Sequence, residues 1–293
     1  MTATTSAPAK LHLVPFALLA VYVIWGSTYL ALRFMVEDIP PLLGNAVRTG
    51  VAGTLLYTFT RWKGAPRPQR RQVRNGWIVG TFLFVGGVGQ VTIAESMGVG
   101  SGIAATAIAM TPVWASLVGG LFGSWPRPRE WLGLAIGMTG VIALSTEGDF
   151  DAAPLGLALV IAAPITWAIG SVWSNHMDLP AGNIRTGLFM LGGSVSLLIA
   201  GLLRGETVPS DVGVTSALAL AYLTIPGSLL AFSAYAYLLR TVRPGLALSY
   251  AYVNPMVAVL LGVWLGGEIL GAGAWIALPL IVTAVIMIIR SSR

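Results

Sequence analysis

The chain has 293 residues, of which 56% are hydrophobic and only 10% are charged, and its mean hydropathy is +0.80. A soluble domain has about a quarter of its residues charged, whereas a disordered chain combines low hydrophobicity with high charge. The composition therefore excludes an ordinary soluble globule and a disordered protein. Because the chain has no cysteine, it cannot form disulfides, use a thiol in catalysis or hold a thiolate-bound metal.

Ten stretches of the chain are apolar and long enough to cross a bilayer, which takes about 20 helical residues. They lie at residues 12–35, 42–61, 76–95, 101–122, 130–146, 155–175, 185–203, 214–238, 246–266 and 269–289. The connections between them are too short to hold a soluble domain. The sequence therefore predicts an all-α integral membrane protein, with ten transmembrane helices in one membrane-embedded unit.

Lysine and arginine alternate between connections, which indicates the orientation in the membrane. If the N-terminus is inside the cell, 14 of the 17 basic residues lie in inner segments, including the cluster at 61–74. Lysine and arginine accumulate on the cytoplasmic side. We therefore predict a multi-pass protein of the inner (cytoplasmic) membrane with both termini cytoplasmic. This topology also explains the net charge of +6, so we expect the lipid bilayer as a partner and no nucleic acid.

The two halves of the chain are related by a shift of 142–144 residues. The shift places Trp25 on Trp167 and residues 100–120 on residues 243–263. Since each half has five spans, an odd number, the second half must enter the membrane from the opposite side. We predict two inverted five-helix repeats, an arrangement that recurs in secondary transporters. The predicted units are a cytoplasmic tail at 1–11, the first repeat at 12–146, an outer linker at 147–154, the second repeat at 155–289 and a cytoplasmic tail at 290–293.

Three segments carry a resemblance to a known family. They are WGSTYLALRF at 25–34, the pair Pro40 and Pro41 followed by Arg48, and PGLALSYAYVNPMVAVLLGVWLGGE at 244–268. The chain resembles the drug/metabolite transporter (DMT) superfamily over residues 12–289. Within it, the chain is similar to the ten-helix EamA-type branch and to the YddG-type exporters of aromatic amino acids. The resemblance implies a transporter that exports amino acids or similar metabolites from a bacterial-type cytoplasm.

Aromatic and polar side chains near the middle of four spans are candidates for lining a substrate cavity. Trp25 and Tyr29 lie near one face of the first span, because residues at helical spacing share a face. Such stripes are more often packing or lipid contacts, but rings near mid-membrane can stack on an apolar or aromatic solute. The full candidate set is Trp25, Tyr29, Thr111, Trp114, Trp167, Ser171, Tyr250 and Asn254.

Pro112 and Pro255 lie at matching depths in the fourth and ninth spans. A proline inside a helix kinks it and frees the carbonyl four residues earlier, here those of Ile108 and Ala251. The matched depth favours two symmetry-related hinges that line a central cavity. The alternative is a pair of tolerated kinks in packed helices, since proline is common in membrane spans.

Arg48 is a charged residue inside the second span, about six residues from its outer end. An ion within the membrane suggests function by default. Arg48 could instead extend outward or pair with Glu37, Asp38 or Glu95, and a structural ion pair is the favoured interpretation. Glu95 lies at the outer end of its span, where a solvated or helix-linked role is expected.

The favoured function is a secondary transporter of small organic solutes that works by alternating access. Proton-driven pumps usually carry Asp, Glu or His within their spans, and the central thirds of these spans contain none. We therefore expect any coupling to proceed without a deep carboxylate, and no cofactor or metal. Aromatic or neutral amino acids are the favoured solutes, ahead of other amphiphilic metabolites or drugs.

Two other classes of protein remain as alternatives, and the sequence leaves the assembly open. A channel would need a polar or charged ring along a pore, which a few Thr, Ser and Asn residues do not provide. An intramembrane enzyme would need a nucleophile and base, or paired carboxylates, facing each other within the spans. Neither pattern is present, so we predict that the protein is not an enzyme. The sequence is compatible with a monomer and with a homodimer.

Overall fold

The computed structural model describes most of the chain, and the elements of the described residues are all helical. The described residues are 11–97, 99, 107–145 and 154–266, followed by 276, 279–280, 282–284, 286–287 and 290. No strand is found among them, which confirms the predicted all-α class. The short helix Pro244–Ala247 precedes the last long one, and the described residues between 276 and 290 are also helical.

The long helices of the described residues are numbered α1 to α9. They are α1 Val14–Met35, α2 Pro41–Trp62, α3 Arg70–Ser96, α4 Ala107–Leu121, α5 Pro128–Ser145, α6 Pro154–Trp173, α7 Asn183–Leu203, α8 Val214–Thr241 and α9 Tyr250–Gly266. Three of them begin at a proline, whose fixed φ suits the first helical position. Gly123 and Gly205 follow the ends of α4 and α7 with φ of +81° and +82°, where a glycine allows the chain to leave the helix.

Five of these helices are apolar and long enough to cross a membrane. They are α1, α3, α6 with the 3-10 turn that extends it to His176, α7 and α8, and α4 is a shorter apolar helix. Large apolar side chains such as Trp62, Leu121 and Leu203 are more than 80% exposed. Apolar surface of this kind is typical of a protein that faces lipid. The described part of the chain is therefore an all-helical membrane protein.

Some predicted segments lie wholly or partly outside the described residues. These are the N-terminal tail at 1–11, the beginning of the fourth span at 101–122, the outer linker at 147–154, much of the tenth span at 269–289 and the C-terminal tail at 290–293. The count of ten helices and the boundaries of the two repeats stay predictions.

The helices pack in pairs that join the first half of the chain to the second. α2 packs extensively against α7, α1 packs against α8 and α9, and α6 packs against α3 and α4. Contacts of α3 with α7, of α2 with α8 and of α5 with α9 also join the two halves. Glycines allow the backbones to approach closely: a Cβ added at Gly53 of α2 would lie 2.8 Å from the Cβ of Met190 in α7.

Two helices contain a nine-residue π-helical segment, whose turns are wider than those of an α-helix. The segments are Thr81–Gly89 in α3 and Leu223–Ala231 in α8. The carbonyl of Gly86 in the first segment accepts a hydrogen bond from a side chain of α6, and that of Gly227 in the second accepts one from a side chain of α1. The wide turns thus make backbone groups available to other helices near the centre of the molecule.

Carboxylates from neighbouring connections cap the beginnings of two helices, where backbone N–H groups lack intrahelical partners. Glu206 accepts hydrogen bonds from the backbone of Leu42 (3.0 Å) and Leu43 (2.9 Å) in the first turn of α2. Asp38 accepts one from the backbone of Gly213 (3.0 Å), immediately before α8. Both caps join the first half of the chain to the second.

Candidate substrate cavity

Five aromatic rings from four helices meet near the middle of the spans, and we call them the aromatic cluster. It consists of Trp25 of α1, Trp167 of α6, Phe232 and Tyr235 of α8, and Tyr250 of α9. The Trp25 and Trp167 rings meet edge to face with centroids 5.7 Å apart, and the Tyr250 ring lies 4.7 Å from that of Trp25. Edge-to-face contacts at these separations are favourable for aromatic pairs, so the rings hold one another in place.

Hydrogen bonds satisfy both indole N–H groups of the cluster. Trp25 Nε1 donates to the carbonyl of Gly227 (3.0 Å), and Trp167 Nε1 donates to the hydroxyl of Tyr235 (3.0 Å). The same Tyr235 hydroxyl also shares a hydrogen bond with Ser171 Oγ (2.6 Å). A buried indole N–H usually needs such a partner, so these bonds fix the orientation of the two tryptophan rings.

Each tryptophan lies against the π-helical segment of the opposite half of the chain. Trp25 of α1 is bonded to Gly227 in the segment of α8. Trp167 of α6 lies against Gly87 in the segment of α3, where an added Cβ would be 2.5 Å from Cε3 of the indole. The position of the Trp167 ring therefore depends on the missing side chain at Gly87.

A cavity of about 100 Å³ lies beside the aromatic cluster. Described residues of α1, α2, α3, α4, α6, α8 and α9 line it. Its wall is mainly apolar, and the polar side chains in the described wall, apart from the two tryptophans, are Thr28, Tyr29, Arg48, Thr111, Tyr250 and Asn254. An apolar cavity with a few polar groups is the usual form of a site for a small organic molecule.

Most of the residues selected from the sequence meet in this cavity. Those in its wall are Trp25, Tyr29, Thr111, Trp167, Tyr250 and Asn254, together with Arg48. They come from α1, α2, α4, α6 and α9, and the packing of these helices brings them together. Asn254 is almost fully buried, and its Oδ1 has no hydrogen-bond partner among the described residues.

The structure does not place Ser171 or Trp114 in the described cavity wall. Ser171 is fully buried one turn beyond Trp167, and its hydroxyl is bonded to Tyr235. Trp114 is half-buried and packs against the hydrophobic core. Ser171 and Trp114 follow the wall residues Trp167 and Thr111 by one helical turn, so both lie near the cavity. Their side chains contact other parts of the protein instead.

The two prolines lie in helices whose hydrogen-bond ladder is interrupted near the cavity. Pro112 is the second residue after a turn at Met110 that breaks α4, and Thr111 Oγ1 donates to the carbonyl of Ile108 (2.5 Å). This is the carbonyl that the proline was expected to free. Pro255 lies within α9, which a turn separates from the short helix Pro244–Ala247. Whether either proline acts as a hinge stays a prediction.

Arg48 differs from the favoured sequence interpretation. Its side chain lines the cavity, the residue is only 5% exposed, and its Nε and NH1 atoms have no hydrogen-bond partner among the described residues. No ion pair links it to Glu37, Asp38 or Glu95 in the part of the chain that the structure describes. The expected structural ion pair was therefore wrong, because α2 places this side chain in the cavity wall.

Glu95 also departs from expectation. It lies in the last turn of α3, but one of its carboxylate oxygens, Oε2, is buried and has no hydrogen-bond partner among the described residues. Of the two expected roles, solvated or helix-linked, the solvated one does not hold for that oxygen.

Sequence reasoning missed the contribution of α8. Phe232 lines the cavity and Tyr235 supports both tryptophans. The available signal was their spacing of three residues, which places both on one face of the helix. Pro164 of α6 also lines the cavity. The equivalent position in the predicted first repeat holds Tyr22 and not a proline, so the repeat gave no reason to select Pro164.

Comparison with known proteins identifies similar chains of similar length. The model of the EamA-like transporter family matches residues 13–146 and again residues 154–290. YedA of Escherichia coli K12, named an uncharacterized inner membrane transporter, is 43% identical over 93% of this chain and 89% of its own. The protein PecM of Dickeya dadantii is 25% identical over 82% of this chain and 80% of its own.

A solved crystal structure has the same fold. It matches with a TM-score of 0.78 over 96% of this chain and 97% of its own, at 20% sequence identity. At this level of identity the likeness concerns the fold alone.

Proposed function

The chain belongs to the EamA-like transporter family, and on this premise we propose that it exports amino acids or related small metabolites across the inner membrane by alternating access. The observation that carries the proposal is the cavity beside the aromatic cluster, which helices from both halves of the chain enclose. Its aromatic wall suits an aromatic or other apolar body. The unpartnered Oδ1 of Asn254 is a hydrogen-bond acceptor that suits the ammonium group of an amino acid.

Matched helix contacts support two inverted repeats. With five spans in each repeat, α1 corresponds to α6, α3 to α8 and α4 to α9. The contact of α1 with α9 then matches that of α6 with α4, the contact of α1 with α8 matches that of α6 with α3, and the contact of α3 with α7 matches that of α8 with α2. A two-fold relation between the halves predicts contacts in such pairs, and the two separate matches of the family model also support it.

The π-helical segments support the same arrangement. Thr81–Gly89 and Leu223–Ala231 are related by a shift of 142 residues, as are Trp25 and Trp167. Each tryptophan contacts the segment of the other half, as expected if a pseudo-two-fold axis passes between the two indoles. Rocking of one repeat against the other would then pivot on this cross-contact.

Two aspartates are suited to hold the two ends of the cavity closed in turn. Asp38, predicted to be outside, accepts a hydrogen bond from Ser216 Oγ of α8 (2.7 Å). Asp178, predicted to be inside, accepts one from Gln72 Nε2 of α3 (3.1 Å). In the proposed arrangement these are equivalent ties on opposite sides of the membrane, so that opening one side requires breaking one tie.

Counterflow in proteoliposomes tests the proposed function. The purified protein is reconstituted, and uptake of labelled phenylalanine is measured with and without unlabelled phenylalanine inside. A carrier gives saturable uptake that internal substrate stimulates, and the variant with Trp167→Ala should lose it while Trp62→Ala, a change at an exposed ring, should keep it. Flux that neither saturates nor responds to internal substrate would favour a channel. Saturable counterflow of other metabolites, but not of amino acids, would favour the broader substrate range.

Proton-coupled exchange is a second candidate mechanism, favoured by the buried oxygen of Glu95. We infer that movement down the solute gradient, without a deep carboxylate, is the main mode, since Glu95 lies at the end of α3. Uptake with and without a pH gradient, in the wild type and in Glu95→Gln, separates the two modes. Acceleration by the gradient that Glu95→Gln abolishes would assign proton coupling to Glu95, whereas equal rates would support uncoupled transport.

A further inference from the structure

We propose that Arg48 binds the carboxylate of the transported solute and thereby restricts the cavity to solutes that carry one negative charge. The proposal rests on the transport function proposed above and adds the chemical class of the substrate. It begins from the guanidinium of Arg48, which lines the cavity with its Nε and NH1 atoms unpartnered among the described residues.

A buried cation without a counter-charge is unfavourable, because burial removes water and nothing replaces it. Arg48 is 5% exposed and lies in a mainly apolar wall, so the described protein groups offset little of this cost. A residue in this condition gains most from an anion that enters the cavity. The binding of a solute carboxylate would complete the hydrogen bonding that the described residues leave open.

The cavity favours a carboxylate over a phosphate. Arg48 provides the single positive charge in the described cavity wall, which balances a monoanion but not a phosphate dianion. The planar fork of a guanidinium matches the two oxygens of a carboxylate in a bidentate pair. The neighbouring rings of Trp25, Phe232 and Tyr250 can then contact an apolar body attached to the carboxylate.

The proposed repeat arrangement shows that this charge is not required by the packing. The shift of 142 residues places Arg48 of α2 on Met190 of α7, which is fully buried. The two helices pack against each other. At this pair of equivalent positions α2 holds a cationic side chain, and α7 holds an apolar side chain of similar length. Arg48→Met is therefore a substitution that the helix pair already accommodates in its other half.

The test compares Arg48→Met with Arg33→Met, which removes an exposed arginine from α1. Binding of three probes to the detergent-solubilised protein is followed by melting temperature and tryptophan fluorescence. The probes are L-phenylalanine, its carboxylate-free analogue 2-phenylethylamine, and phenyl phosphate. We expect the wild type and Arg33→Met to bind L-phenylalanine in preference to the other two. Arg48→Met should bind L-phenylalanine about 10- to 100-fold more weakly, the usual effect of losing a hydrogen bond to a charged group, and 2-phenylethylamine no more weakly.

The ligand-free melting temperature provides an independent readout. Removing an unpaired buried charge should leave Arg48→Met at least as stable as the wild type, whereas loss of a structural ion pair would lower its melting temperature. Equal binding of phenylalanine and phenylethylamine by the wild type, or equal weakening of both in Arg48→Met, would overturn the proposal. Preference for phenyl phosphate would replace carboxylate with phosphate. A lowered melting temperature in Arg48→Met, or no binding of L-phenylalanine by the wild type, would also overturn the proposal.

Failure of the transport function itself would give a different result. It would appear as an absence of counterflow for every solute tested, while the preference of the wild type for phenylalanine over phenylethylamine could persist. The two conclusions can therefore be judged separately.

Discussion

Removal of the Tyr235 hydroxyl should destabilise the protein more than its small size suggests. This oxygen accepts the indole N–H of Trp167 (3.0 Å) and shares a hydrogen bond with Ser171 (2.6 Å). Tyr235 is fully buried and Trp167 is 8% exposed. In Tyr235→Phe the ring and its contacts remain, but the indole N–H of Trp167 loses its acceptor.

The magnitude follows from the number and burial of the groups left unpaired. Side-chain hydrogen bonds in membrane proteins contribute about 0.6 kcal/mol on average and about 1.7 kcal/mol at most. A buried donor left without a partner costs about 1–3 kcal/mol. Since Ser171 can turn its hydroxyl to a backbone carbonyl, the main loss is at Trp167. We expect Tyr235→Phe to reduce the free energy of unfolding by about 1–2 kcal/mol.

Tyr222→Phe is the matched control, because it removes the same atom from the same helix. Tyr222 is 37% exposed and makes one hydrogen bond, to Ser27 (2.6 Å), which also donates to the carbonyl of Ile24. We expect a loss below about 0.5 kcal/mol. Reversible unfolding in mixed micelles, followed by helical circular dichroism, measures both variants. Equal losses in the two variants, or none in Tyr235→Phe, would show that the hydroxyl does not support the aromatic cluster.

Two further predictions concern the cavity and the packing of α3 on α7. Trp25→Ala and Trp167→Ala should each lower the rate of counterflow at least about tenfold with the protein still folded, since each removes stacking surface from the cavity wall. Trp62→Ala should leave the rate unchanged. Equal rates in all three variants would refute a role for the aromatic cluster. Gly80→Ala should lower the melting temperature, because its Cβ would overlap the carbonyl oxygen of Phe189 in α7. Gly119→Ala, whose Cβ meets nothing closer than 3.5 Å, should not lower it, since alanine favours a helix more than glycine does. A matching loss there would contradict the overlap with Phe189 as the cause.

The sequence was sufficient to predict which residues converge when the prediction rested on the repeat. In the predicted repeats Trp25 and Trp167 occupy equivalent positions, and a two-fold relation between the repeats would bring both near its axis. Pro112 and Thr111 were placed near the cavity for the same reason, through their match with Pro255 and Asn254. Helical spacing alone predicts which face of a helix a residue lies on. A match between two repeats also predicts how deep in the membrane the residue lies.

The sequence was insufficient where a position depends on contacts between helices. Tyr235 is one of several aromatic residues in α8, and only the packing of α8 on α6 shows that its hydroxyl meets Trp167. Arg48 had three acidic residues within reach by sequence, and the pairing failed because reach along a helix does not give direction. Its direction depends on how α2 is rotated against α7, which glycine contacts such as that of Gly53 set.

The division between symmetric and asymmetric residues suggests how one fold can serve different solutes. In the proposed arrangement the tryptophan pair, the π-helical segments and the two aspartate ties have equivalents in both halves, and these are the parts that a rocking motion must move alike. Two polar groups of the cavity have no equivalent of the same kind: Arg48 matches Met190, and Tyr29 matches Ser171. A substitution at an asymmetric position can therefore change which solute binds without unbalancing the two conformations. Arg48→Met should on this basis weaken the binding of L-phenylalanine without weakening that of 2-phenylethylamine.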